Sequence, residues 1–271
     1  MRIADGLLKC VAFVSHDDPT PKYIGTTFMV GIAGKYGNAY LHAVTARHVA
    51  ECVEGGPFLI GVNFKDGGAG WFQSDLKWWY HPTDSSVDAA ATVFTPSDRC
   101  DVEGIPEAAF VTDRTIRDYG IGVGDEINVV GLFTKFYGST KHIPIVRTGN
   151  IAMMPSDKIP AGSGQMEAYL AEGRSIGGLS GSPVFVRHTV KVGGMVNERG
   201  EHERISGLGH SHLLGLMRGH WDLPIGVQTE QAEAVNMGIS IVVPAKRILE
   251  VLYHPELVAL RERHDEQVRE Q

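Results

Sequence analysis

Residues 177–186 read Gly-Gly-Leu-Ser-Gly-Ser-Pro-Val-Phe-Val. A serine between glycines, directly before an apolar strand, is a pattern with a chemical use. A nucleophilic hydroxyl must stand clear of the backbone, and a base must take its proton. Peptide N–H groups must also face the oxyanion that forms when a carbonyl is attacked. Glycines permit the sharp turn and the close backbone approach that this requires. Ser180 is the candidate nucleophile, with the N–H groups of Gly178 and Ser180 as candidate oxyanion donors. The same residues also read as a plain glycine-rich turn ahead of a strand.

Two segments upstream supply what a nucleophilic serine needs. Residues 40–49, Tyr-Leu-His-Ala-Val-Thr-Ala-Arg-His-Val, run as a strand into a corner that carries His48. Imidazole titrates near neutral pH, and the end of a fixed element is a good place for a general base. Residues 87–94, Val-Asp-Ala-Ala-Ala-Thr-Val-Phe, open an apolar run with Asp88. A buried carboxylate beside an imidazole fixes its tautomer and stabilises the imidazolium. Each has a plain reading too, because the chain holds twelve histidines and an aspartate often caps a strand start. His42, within a strand, is given no role. Asp84 competes with Asp88, but the small apolar residues after Asp88 suit a buried position better.

Outward from these segments the chain is a series of short β-like runs. They include Leu7–Val14, Thr26–Ile32, Ala39–Ala46, Phe58–Phe64, Gly70–Ser74, Ala89–Phe94 and Ile127–Phe133. Ile143–Ala152, Met166–Leu170, Val184–Val190, Leu213–Arg218 and Met237–Val243 follow. All are rich in β-branched and aromatic residues, with Gly, Pro, Asn and Asp between them. The 33 glycines in 271 residues exceed the ~7% of average usage and suit many turns. This pattern predicts an all-β barrel or sandwich. Helical signals are sparse: one turn at Ala46–Cys52, a helix over Ala245–Leu252 after Pro244, and a second from Pro255 into the charged tail. A division between halves is expected near Thr112–Gly122.

With His48, Asp88 and Ser180 in this order, the chain resembles the chymotrypsin/trypsin-like serine protease superfamily, in its TAxH, Asp-Ala and GxSGxP segments. It is most similar to the bacterial branch that includes HtrA-type proteases. GTTFMVGIAG before the histidine strand, VGDEINVVGLF, PIVRTGNIAMMP and the C-terminal MGISIVVPAKRILEVL support this over roughly residues 7–253. The resemblance implies two six-stranded antiparallel Greek-key barrels with a C-terminal helical segment. The halves would be residues 1–115, carrying His48 and Asp88, and 116–244, carrying Ser180 and the oxyanion hole, with 245–271 helical. It implies a serine endopeptidase acting through an acyl-enzyme, without a cofactor. A protease-fold binding or scaffold protein and an esterase-like serine hydrolase are the alternatives, since fold does not fix function.

Some residues depart from that branch. Leu179 stands where secreted digestive members carry an aspartate that pairs with a newly cut N-terminus, so activity is expected in a chain that keeps Met1. Ser182 replaces a more usual glycine, and nothing after Leu252 is long enough for a PDZ domain. By resemblance, the primary pocket has Arg174 near one wall and Arg218 or His220 in its lining. A guanidinium there would favour an acidic side chain before the cut. The strand Leu214–His220 is expected to pair with substrate backbone by edge addition. A rival cluster, His210, His212, His220 and Asp222, has a possible metal-site look but no strong ligand spacing. No metal is assigned.

Bulk properties narrow the class. The net charge of −7 argues against general nucleic-acid binding. Three cysteines, Cys10, Cys52 and Cys100, support neither a disulfide framework nor a zinc site. The N-terminus lacks the basic region and cleavage site of a secretory leader, and no apolar run approaches a membrane span. The expectation is a cytoplasmic protein whose partners are protein or peptide substrates and an unidentified regulatory protein, not nucleic acid or membrane.

Overall fold

The structure, a computed structural model, describes residues 3–18, 20, 22–133, 135–136, 138–161, 164–173, 178–187, 195–196, 202–203, 211–224 and 234–269. A short helix, α1 (Asp5–Lys9), precedes the first sheet. Its strands are β1 (Val11–His16), β2 (Tyr23–Ala33), β3 (Ala39–Thr45), β4 (Phe58–Asn63), β5 (Ala69–Ser74), β6 (Trp79–Tyr80), β7 (Ala90–Val93) and β8 (Ile105–Pro106), with helix α2 (Arg47–Cys52) after β3. The eight-stranded sheet runs β5-β4-β1-β2-β3-β7-β6, and β8 joins β2 in parallel. Phe13, Phe28, Met29, Phe58 and Ile60 fill its interior, each at most 1% exposed.

Helix α3 (Asp113–Tyr119) links the halves. The second half holds β9 (Glu126–Gly131), β10 (Ile145–Met153), β11 (Lys158–Ala161), β12 (Gly164–Glu167), β13 (Tyr169–Glu172) and β14 (Pro183–Arg187). It continues with β15 (Met195–Val196), β16 (His202–Glu203), β17 (Ser211–Pro224) and β18 (Ala234–Pro244). Six of these close a barrel in the order β10-β13-β18-β17-β14-β9, while β11-β12 and β15-β16 form separate two-stranded pairs. Ile127, Ile151, Leu179, Val184 and Val242 lie in the barrel core. Two helices end the chain, α4 (Ala245–Leu252) and α5 (Pro255–Arg269). No helix among the described residues is long and apolar enough to cross a membrane.

The structure redraws several expected elements. Leu7–Lys9 belongs to a helix, and the strand begins at Val11. The expected Met166–Leu170 run is two strands, broken at Ala168 as the chain passes from the β11–β12 hairpin into the barrel. The glycine-rich linker contains α3: the Thr112 hydroxyl accepts from the Thr115 N–H, and Gly120 ends the helix in the left-handed region at φ 67°. These are the ordinary start and stop devices of a helix. The helix expected from Pro255 into the charged tail is α5, and it is docked by one face. Leu257, Arg261 and Asp265, spaced four apart, are buried on one face, as helical periodicity dictates.

Candidate active site

Strand β3 and helix α2 fix His48. Thr45 ends the strand, its hydroxyl donating to the Thr26 carbonyl at 2.7 Å, and α2 starts two residues later, placing His48 in its first turn. Asp88 lies just before β7, which pairs with β3. The ladder thereby brings the carboxylate under the imidazole. His48 Nδ1 is 2.9 Å from Asp88 Oδ2 and 3.1 Å from Oδ1, and the His48 backbone N–H donates to Oδ1 at 3.0 Å. With Nδ1–H donating to the carboxylate, Nε2 is the nitrogen left to accept a proton. Asp88 is 8% exposed. Burial pushes its carboxyl up, but the hydrogen bonds from His48 and the Arg218 charge outweigh that and hold it below the ordinary value.

Ser180 comes from the other half. The loop ahead of β14 turns through two glycines with positive φ, Gly178 at 96° and Gly181 at 82°. Thr26 on β2 anchors this loop. Its N–H donates to the Ser180 carbonyl at 2.9 Å, and its hydroxyl donates to the Gly178 carbonyl at 2.8 Å while accepting from the Leu132 N–H at 2.9 Å. Leu179 is 1% exposed, turned into the barrel core. An apolar side chain seated there makes no ion pair. Ser182 is buried with its hydroxyl against Gly131, where a Cβ would lie 1.9 Å from it.

The Ser180 hydroxyl donates to the Arg218 carbonyl at 3.1 Å. The Arg218 side chain reaches Asp88, with Nε 3.2 Å from Oδ2. Ser180, Arg218, Asp88 and His48 therefore form one continuous series of contacts across the two halves. His48, Asp88 and Arg218 line a groove of about 580 Å³, together with Arg47, Glu51 and Ser86 among others. Within it Arg47 is engaged with Glu51 at 2.7 Å.

The remaining expected site residues are placed as follows. Arg218, expected with His220 as an alternative lining residue of the primary pocket, lines the groove, and its guanidinium faces Asp88. His220 lies on β17 opposite Ser240 of β18, and the ring of His212 lies 5.1 Å from that of Tyr119. Arg174 and His210 lie outside the described residues. The Leu214–His220 edge is shorter than expected. Gly215 and Leu216 already pair with β14, and Met217 bonds with Gly181 and Ser182. Beyond Met217, β17 pairs with β18 on one side and with no strand among the described residues on the other. Sequence reasoning missed Thr26 and the Arg218–Asp88 pair. Thr26 and Arg218 both sit inside strands, and no local signal marks either.

No protein-family model matches the sequence, and no curated protein matches it in sequence. Solved structures do match the fold. The MamO protease domain from Magnetospirillum magneticum (apo form) is 14% identical with a TM-score of 0.54, covering 90% of this chain and 96% of that one. Deg5 is 13% identical at a TM-score of 0.51, covering 90% and 88%. The Rv3671c protease in its inactive form is 15% identical at 0.50, covering 92% and 90%. From its first sheet through its closed barrel to its C-terminal helices, this chain has the trypsin-like fold of HtrA-type protease domains.

Proposed function

We propose that the chain is a serine endopeptidase in which Ser180 is the nucleophile, His48 the general base and Asp88 its orienting carboxylate. The observation that carries this reading is the unbroken contact series from Ser180 through Arg218 and Asp88 to His48. For catalysis the Ser180 hydroxyl must leave the Arg218 carbonyl and donate to His48 Nε2. The oxygen then attacks a substrate carbonyl carbon, His48 takes the proton, and Asp88 stabilises the imidazolium. The N–H groups of Gly178 and Ser180 would hold the oxyanion, with Thr26 steadying the loop through the Gly178 and Ser180 carbonyls. His48 returns the proton to the leaving amine, and water then clears the acyl-enzyme. The edge of β17 beyond Met217 would take the extended substrate.

A second reading, a protease-fold binding protein with little turnover, is favoured by one observation: the Ser180 hydroxyl is engaged by the Arg218 carbonyl. A fluorophosphonate probe separates the two. Labelling of the wild type that disappears in Ser180→Ala supports the enzyme. An unlabelled wild type supports the binding protein. Digestion of casein, run beside a simple ester substrate, then distinguishes a peptidase from an esterase.

A further inference from the structure

We propose that Arg218 is a positioning residue that shares Asp88 with His48 and so sets how far that carboxylate stabilises a protonated imidazole. This rests on the reading of His48 and Asp88 as the acid–base pair. The geometry is a three-way contact. Asp88 Oδ2 takes His48 Nδ1 at 2.9 Å and Arg218 Nε at 3.2 Å, while Oδ1 takes the His48 backbone N–H at 3.0 Å. The Arg218 Nε is buried and lies at ion-pair distance, yet it is off line for a hydrogen bond. The guanidinium therefore acts on Asp88 mainly as a fixed charge.

One carboxylate facing two cations stabilises each less than it would stabilise one alone. When His48 is neutral, Arg218 and Asp88 balance. When His48 gains a proton, the imidazolium meets a carboxylate whose field is already half spent on the guanidinium. Other charges at the groove do less. Arg47 of α2 is paired with Glu51 of the same helix at 2.7 Å and lies over the Tyr80 ring. Asp84, from the loop before β7, is engaged by Ser86. Ser85, Ser86 and Gly164 complete the lining without charge. The main chain adds a second link, because the Arg218 carbonyl also holds the Ser180 hydroxyl. A single residue of β17 thus touches the carboxylate with its side chain and the hydroxyl with its backbone.

The test is an NMR titration of the His48 imidazole Cε1–H, assigned by its loss in His48→Gln, in wild type, Arg218→Met and Arg218→Lys. The Met variant keeps the stem and removes the charge. Its His48 midpoint is expected to rise by roughly half to one pH unit, while Arg218→Lys stays close to wild type. The acidic limb of fluorophosphonate labelling should move the same way. A midpoint that is unchanged or lower in folded Arg218→Met overturns the proposal. Should that variant not fold, Arg218→Gln carries the same expectation and the same overturning result. The titration needs no turnover, so the two readings fail separately. A shifted midpoint without probe labelling sinks the enzyme and spares the coupling. Labelling without a shift does the reverse.

Discussion

Thr26 shows how one hydroxyl can hold a reactive loop. It is fully buried, donating to the Gly178 carbonyl at 2.8 Å and accepting from the Leu132 N–H at 2.9 Å. Thr26→Val keeps the shape and leaves both partners buried and unpaired, which costs about 1–3 kcal/mol per group. Urea unfolding should show a loss of about 2–6 kcal/mol for the two groups together. Fluorophosphonate labelling should slow beyond what lost stability explains, because the Gly178 peptide loses its anchor. Labelling at the wild-type rate in the folded variant would remove Thr26 from the site. At this scale, the sequence singled out His48, Asp88 and Ser180 as candidates because each sits at a marked corner: a strand end, a strand start and a glycine turn. Thr26 and Arg218 sit inside strands, where nothing local distinguishes a scaffold hydroxyl or a site-facing guanidinium from any other strand residue.

At the scale of elements, the helix α5 docks on the first sheet through a buried polar pair. Arg261 Nη1 lies 3.1 Å from His42 Nε2, and His42 Nδ1 lies 3.2 Å from the Tyr40 carbonyl. The ring is thus neutral, donating from Nδ1 to Tyr40 and accepting from Arg261 on Nε2. Burial first, and then the Arg261 charge, push His42 down to about 4 from its ordinary 6.5. Because the folded value is depressed, the unfolded chain binds a proton as pH falls below 6.5 while the folded one does not. Stability is therefore full above that pH and falls steadily down to about 4, by about 3 kcal/mol. His42→Gln should flatten urea midpoints over this window; a slope as steep as wild type would show that another group causes it. Asp88 acts lower. Its depressed carboxyl contributes stability above the ordinary carboxylate value, lost as pH falls through its folded value. The docking of α5 was hidden in the sequence because its buried face reads Leu257, Arg261, Asp265, which looks solvent-facing until the partners across the interface are known. The short helices α1 and α3 were hidden for a different reason. Five and seven residues are too few for an apolar period to show, so only caps such as Thr112 and Gly120 mark them.

Over the whole molecule, the proposed site depends on how tightly the two halves meet, because each contributes part of it. The nucleophile loop is sewn to β2 by Thr26 and to β17 by bonds between Gly181 and Met217 and between Met217 and Ser182. A Cβ added at Gly181 would lie 2.1 Å from the Thr26 carbonyl oxygen and 2.3 Å from Thr45 Oγ1. The residue also has φ 82°, where a side chain is strained in any case. Gly181→Ala must therefore move the loop away from β2 and β3, carrying Ser180 away from His48. Its cost is roughly 3 kcal/mol or more, and probe labelling should be lost in whatever fraction still folds. Gly219→Ala is the matched control, since a Cβ there meets nothing within 4 Å and a strand favours alanine over glycine. That variant should unfold at or slightly above the wild-type midpoint. If Gly181→Ala kept wild-type labelling, the halves would not need this close approach to assemble the site. Ser180 and His48 would then have to meet by a route other than the seam between β2 and the nucleophile loop.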